Sequence, residues 1–355
     1  MNPAPLLLRD LIPDLLREER AGALTLFLVD GLGELQLQRH AEHAPVLAHQ
    51  GTSREVRSVE YPSSTPASVV SLLTSSPSTR HGVIGCEYPV GVDGPLFNPL
   101  LSTAESYGQG TLDATTIFER LRAEGVECRY LVPQEYTGSG FTQMTSAGAL
   151  VQGYASEVQL LDHLETAFGF TYVYVPHIDR AGHLSGVGSV EWLSALALVD
   201  ALLGEVTALS KRQGRELYVT SDHGMVSVAV DSPSRHDLRD SPELAQGVRS
   251  MGGDPRAPLL YCEAGAAGDV RARWTARFGA DAVCGADEAV KRGWVAGPID
   301  AVRDRIGDLV VALPPDTVVF DSRLMERPTS NRGFHGGLTP EEVLVPVIHL
   351  TRGER

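Results

Sequence analysis

The chain has 355 residues, 45 of them acidic against 30 basic, for a formal charge of −15. That length can bury a substantial core as one large domain or two smaller ones. The charge excludes general attraction to nucleic acid or to an anionic membrane, so an anionic substrate needs local positive charge.

Residues 1–20 combine apolar positions with Arg9, Asp10 and Asp14, which suits a short amphipathic helix and lacks the unbroken apolar core of a signal peptide. No later stretch is expected to supply the roughly 18 to 20 apolar residues of a membrane span. Cys86, Cys128, Cys262 and Cys284 form no CxxC pair, which argues for free thiols. A cytoplasmic protein is the expectation. Short β-branched runs at 23–30, 126–132, 171–175, 216–222, 309–313 and 343–350 read as strands. Between them, helical patterns run from an Asp113 cap through Ile117, Phe118 and Leu121 to Gly125, and over 189–211. Near-continuously apolar strands alternating with helices predict an α/β fold, a mostly parallel central sheet with helices on both faces. Residues 86–110 and 231–257, rich in Gly, Pro, Ser and charge, break that rhythm and read as lid insertions.

Ligands of open α/β sheets sit beyond the carboxyl ends of the strands. Those positions hold Asp30 and Gly31, then Ser63, Ser64 and Thr65, then Asp179 and His183, then Asp222 and His223. His335 precedes the last strand. Singly, an Asp there is usually a turn or cap residue and a His a surface or core residue. Together they divide into two mixed Asp/His sets of the kind Zn²⁺ accepts, and two such metals roughly 3.5 to 4 Å apart clamp the oxygens of a phosphoryl transfer.

The ordered run VDG, PSSTPAS, RHGVIG, DRAGH, SDHGM and FHGG, spanning residues 24–347, resembles the alkaline phosphatase superfamily, most closely its nucleotide pyrophosphatase/phosphodiesterase branch. The resemblance implies one catalytic domain over 1–355 and a metal-dependent phosphoric ester hydrolase. It implies a zinc held by Asp30, Asp222 and His223 with the nucleophile Thr65, and a second held by Asp179, His183 and His335. It further implies a phosphothreonine intermediate, released by water activated at the second zinc, and a small phosphorylated substrate, a nucleotide among the candidates. Mn²⁺ or Fe suits the same ligands.

Pro66 favours the first turn of a helix and so places Thr65 at its N-cap, where free N–H groups attract an anion. Ser63 and Ser64 fall outside that turn, as loop residues. Relatives often carry Asn three positions after the nucleophile; Ser68 stands there, a weaker donor to a phosphoryl oxygen. The SSTPAS segment approaches a sulfatase signature but has Ser68 where that signature has Arg. A phosphomonoesterase, a phosphonate hydrolase and a non-catalytic zinc scaffold are the alternatives. For the monoesterase, Arg80, Arg235 and Arg332 are the candidate phosphate clamps, each with a structural role as the competing reading. His81 is read as ordering the turn after the nucleophile helix, with His177 and His236 as residues of ordinary structural use. Tyr88, Phe97, Tyr107, Tyr136 and Phe141 either stack on a base or fill a lid. The oligomeric state stays open.

Overall fold

The computed structural model describes residues 6–19, 22–91, 94–111, 114–323 and 330–351. Its centre is β1 (Ala23–Val29), buried along nearly its whole length. Side chains alternate across a strand. Leu24, Leu26 and Leu28 therefore enter one core, with Val69, Leu72 and Phe118, while Phe27 and Val29 enter the other, with Trp192, Leu196 and Leu203. The seven-stranded sheet runs β2–β7–β6–β1–β5–β3–β4. The remaining strands are β2 (Ser53–Ser58), β3 (Cys128–Pro133), β4 (Leu150–Tyr154), β5 (Gly169–Val175), β6 (Glu216–Thr220) and β7 (Leu344–Thr351). Contacts from β6 through β4 are parallel, whereas β7 is antiparallel to both its neighbours, β6 and β2.

Both faces are covered by helices, as the sequence pattern predicts. An N-terminal helix, α1 (Leu11–Glu18), buries Leu11, Ile12 and Leu15. It is followed by α2 (Thr65–Thr74), α3 (Ile117–Ala123), α4 (His177–Ser185) and α5 (Val190–Gln213). The cap of α3 is Thr116, whose hydroxyl accepts from Glu119 N while the Glu119 carboxylate accepts from Thr116 N. The expected cap, Asp113, lies outside the described residues. Ser189 caps α5 by accepting from Trp192 N, and Gly214 in the left-handed region ends it. By length and apolarity α5 meets the requirement for a membrane span, which the sequence reading passed over. Its apolar side, with Trp192, Leu196, Val199 and Leu203, packs on the sheet.

Two expectations need correction. The run at 309–313 belongs to a second, antiparallel sheet, ordered Val248–Asp254, Ala257–Cys262, Leu309–Val311, Val283–Gly285. A β-branched run states that it is a strand but not which sheet completes it. The second insertion accordingly continues beyond 257, because its hairpin is completed by strands contributed at Val283–Gly285 and Leu309–Val311. This smaller sheet is fastened to the larger by Arg256. Its guanidinium, fully buried, donates to both carboxylate oxygens of Glu342 at 3.0 and 2.8 Å and to the carbonyls of Pro314 and Thr317 at 2.5 and 2.7 Å.

Candidate active site

Asp30 follows β1 directly; its N–H donates to Val175 O, and its carbonyl accepts from Asp179 N, so the ends of β1 and β5 are stitched together. Gly31 has φ +76, and a Cβ there would lie 2.9 Å from Asp179 Cα. Only glycine satisfies both the backbone angle and the contact. Gly31 N in turn donates to Asp222 Oδ1 at 3.3 Å, which brings in the end of β6. Ser63 closes the ring. Its hydroxyl donates to Gly337 O, accepts from Gly336 N, and its carbonyl faces His335 Nδ1 at 3.1 Å.

These links bring Asp30, Thr65, Asp179, His183, Asp222, His223 and His335 into one cluster. His223 Nε2 lies 3.1 Å from Thr65 Oγ1, 3.4 Å from Asp30 Oδ1 and 3.6 Å from Asp222 Oδ2. Asp179 Oδ1 lies 3.4 Å from His183 Nε2 and 4.0 Å from His335 Nε2. The rings of His223 and His335 stack at 3.8 Å, with His183 5.1 Å from His335. Donor atoms of Asp30, Asp222 and His223, and separately of Asp179, His223 and His335, converge within 4.8 Å. His223 thus stands between the two groups, and His183 borders the second through Asp179.

Each imidazole has Nδ1 against a backbone carbonyl: His183 with Gly333 O at 2.9 Å, His223 with Gly224 O at 3.1 Å, and His335 with Ser63 O. A carbonyl only accepts, so the proton sits on Nδ1 and the Nε2 lone pair faces the cluster. On the carboxylates, Asp30 Oδ1, Asp179 Oδ1 and Asp222 Oδ2 are buried with no hydrogen-bond partner. Buried polar atoms are normally satisfied. Burial, then the Asp222 and Asp179 carboxylates, raise the Asp30 pKa well above the usual range, against a hydrogen bond from the Tyr174 hydroxyl. Burial, then His223 and His183, hold the His335 pKa well below the ordinary imidazole value. Oriented lone pairs and orphaned carboxylate oxygens fit divalent cations, which these donors could hold.

The helix that carries Thr65 begins with it: Ser64 is the N-cap residue and Thr65 the first helical position, one place later than expected. Ser64 Oγ is buried without a partner. Ser68 does not reach the cluster. It borders a separate small cleft with Leu8, Glu60 and Tyr61 and is not among the residues lining the cavity over Thr65. His81 orders the turn as expected, through Ser71 Oγ at 2.9 Å and Val83 N at 3.2 Å, and burial pushes its pKa down to about 3. His177 pairs with Glu157, and His236 meets Arg277, neither in the cavity.

A cavity of about 490 Å³ opens over Thr65, lined by Tyr130, Tyr136, Phe141, Tyr174, Arg180 and Asp254 among others. Both predicted insertions contribute to it, through Cys86, Glu87, Asn98 and Leu100 and through Met251 to Pro255. Of the candidate aromatics, Tyr136 and Phe141 line it. Tyr88 is buried against Gly110 O and Phe97 packs on Tyr88. Tyr107 borders a different cleft. Arg80, Arg235 and Arg332 do not line the cavity; Arg180 does. Arg180 stands inside the DRAGH motif, next to Asp179, where a reading of the motif for its ligands alone overlooked it. Asp254 carried no motif signal.

A mostly parallel sheet thus gathers a threonine, three aspartates and three histidines beyond its strand ends. The chain matches the type I phosphodiesterase/nucleotide pyrophosphatase family over residues 24–338 and belongs to it, which makes it a phosphoric ester hydrolase. Its activity lies among the phosphodiesterase and pyrophosphatase reactions of that family. Murine ectonucleotide pyrophosphatase/phosphodiesterase 5 has the same fold, with a TM-score of 0.69 at 16% identity over 92% of this chain and 88% of the other. An inactive variant of that murine protein, solved in complex with AMP, superposes with a TM-score of 0.70 at 15% identity, covering 92% and 88%. Phosphonoacetate hydrolase from Sinorhizobium meliloti 1021, in complex with phosphonoformate, gives 0.68 at 19% identity over 94% and 90%. No curated protein sequence matches the chain.

Proposed function

We propose that the protein hydrolyses small phosphodiesters, with Thr65 as nucleophile beside two divalent cations, zinc in the first instance. The observation that carries this reading is the Thr65 hydroxyl 3.1 Å from His223 Nε2, at the edge of three buried carboxylate oxygens without partners. Asp30, Asp222 and His223 would hold one cation, and Asp179, His183 and His335 the other. When bound, the cations neutralise phosphoryl oxygens and lower the pKa of a neighbouring hydroxyl, which a threonine needs to react at neutral pH.

The chain's own part is positional. Thr65 is held in the first turn of α2, where N–H groups without helical partners and the positive end of the dipole favour an anion. Its hydroxyl loses a proton and its oxygen displaces one alcohol from phosphorus. Water then cleaves the phosphothreonine, releasing the monoester and restoring the hydroxyl. Positioning and charge neutralisation suffice for phosphoryl transfer of this kind.

A nucleotide is the leading substrate candidate, supported by the family, by the AMP bound to a structural relative and by the aromatic wall of Tyr130, Tyr136, Phe141 and Tyr174. The four cysteines, all unpaired, support a cytoplasmic location. The test compares rates on bis-p-nitrophenyl phosphate and p-nitrophenyl phosphate for the zinc-loaded protein and Thr65→Ala. Diester preference that disappears in the variant supports the proposal. Monoester preference sinks it in favour of a phosphatase, and zinc-independent behaviour on both removes the assigned metal role.

A further inference from the structure

The cavity that holds Thr65 and His335 also holds Asp254, the last residue of the strand Val248–Asp254. Asp254 is 2% exposed, and its carboxylate is met by one neighbour, Cys86, whose N–H donates to Oδ2 at 3.4 Å and whose weakly donating thiol also faces it. Among the described residues, no Arg or Lys forms an ion pair with it. A carboxylate taken out of water with so little compensation is costly, and such groups persist where something else engages them.

The placement is built. Gly336, next to His335, has φ +116, and a Cβ there would sit 2.7 Å from Asp254 Cβ. A Cβ at Gly85 would lie 3.2 Å from Asp254 Oδ2, and Gly253, with φ +77, donates to Glu87 O at 2.6 Å. Glycines on three separate segments therefore let the hairpin approach close enough to present this one side chain at the cluster.

The other charges of the cavity wall are already engaged, Glu87 among them. Asp321 takes both arms of Arg323, at 2.8 Å each. Arg180, the one Arg or Lys among the described residues lining the cavity, donates to Glu135 and to the Tyr136 hydroxyl. Among the described residues, then, the wall beyond the Asp/His cluster offers Asp254 as an acceptor and no uncommitted Arg or Lys.

We propose that Asp254 is a specificity-determining residue that accepts a hydrogen bond from a hydroxyl or ammonium on the group esterified to phosphate, and disfavours substrates whose far end is anionic. This rests on the phosphodiesterase reading of the site. A role confined to balancing the charge of bound cations would affect every substrate alike, so substrate comparison separates the two.

Zinc-loaded wild type, Asp254→Asn and Asp254→Ser are compared on four p-nitrophenyl diesters: the ethyl ester as a donor-free reference, the thymidine 5′-ester with a hydroxyl, the 2-aminoethyl ester with an ammonium, and the 2-carboxyethyl ester with an anion. A hydrogen bond to a charged group predicts a fall of roughly 10- to 100-fold in kcat/KM for a donor-bearing ester, with less than about threefold change for the ethyl ester. The carboxyethyl ester gains relative to ethyl. Which donor ester falls identifies hydroxyl or ammonium. Equal losses on all four, or no loss on either donor ester, overturn the proposal. Thermal unfolding confirms that at least one variant is folded. Calorimetric binding of thymidine 5′-monophosphate, 2-aminoethyl phosphate and ethyl phosphate gives the same comparison without turnover. If no diester is hydrolysed but a donor-bearing ligand loses affinity in the variants, the phosphodiesterase reading fails and the Asp254 assignment stands.

Discussion

Removing the Glu342 carboxylate by Glu342→Met strands the Arg256 guanidinium in the interior with carbonyl oxygens alone. Both side chains are fully buried, and Glu342 also accepts from Gly337 N at 2.8 Å and from the Thr339 hydroxyl at 2.7 Å. Breaking one side of such a pair costs about 3–5 kcal/mol, because an uncompensated charge remains, whereas replacing both partners by apolar groups of similar volume is often near neutral. Here the double replacement, Arg256→Met with Glu342→Met, also frees the Gly337 N–H and the Pro314 and Thr317 carbonyls, each worth about 1 kcal/mol or more. The expected pattern is therefore a large loss for Glu342→Met and a double variant no less stable than it. Urea unfolding of the metal-free proteins reads this as a double-mutant cycle. Strictly additive losses, or a Glu342→Met cost below about 1 kcal/mol, would refute the claim that this pair fastens the small sheet to the turn carrying His335.

Thr65→Ala should reduce turnover of bis-p-nitrophenyl phosphate by at least about a thousandfold while leaving zinc content, measured by elemental analysis, little changed, since six other donors remain. Thr65→Ser should keep a measurable rate. Chelation should lower the melting temperature as well as the activity, and titration back should restore both at about two zinc ions per chain. Binding to the folded state alone requires this linkage; one ion per chain would contradict the two-site assignment. His81, neutral in the fold with a pKa of about 3, gains its proton only on unfolding between pH 6.5 and 3. The stability it contributes is therefore fully present above about pH 6.5 and declines as the pH falls toward 3, by up to about 4 kcal/mol. His81→Gln should flatten that acid limb in urea melts taken from pH 7 to pH 4.

The residues of the Asp/His cluster were legible because each lies in a short motif of fixed composition, most of them just after a strand, and the mostly parallel sheet places strand ends together. Pattern alone could not divide the donors, since His223 lies within reach of both groups and His183 only borders one. Thr65 was singled out by the family resemblance, with Pro66 marking a helix start, but a residue's place in the first turn depends on the φ and ψ of Ser64, which composition does not reveal. Ser68 borders a different cleft from Thr65, and nothing in the composition of the segment distinguishes the two. The strand β4 escaped notice because it is half-exposed and carries Gln152 and Gly153, without the apolar run that marks the inner strands. Asp254 and the small sheet escaped because hairpin placement is decided by contacts between residues far apart in sequence, Gly85, Gly336 and Asp254 among them.

The position of β7 bears on how the chain is made. This strand lies between β2 and β6, antiparallel to both, yet it is the last of the seven to leave the ribosome. At about 5–20 residues per second, β6 waits on the order of ten seconds for its neighbour. Throughout that interval its free edge, and that of β2, can pair with other chains. Growing polypeptides of this topology are accordingly clients for chaperones that cover exposed strand edges, and a ribosome pausing within residues 221–343 lengthens their exposure.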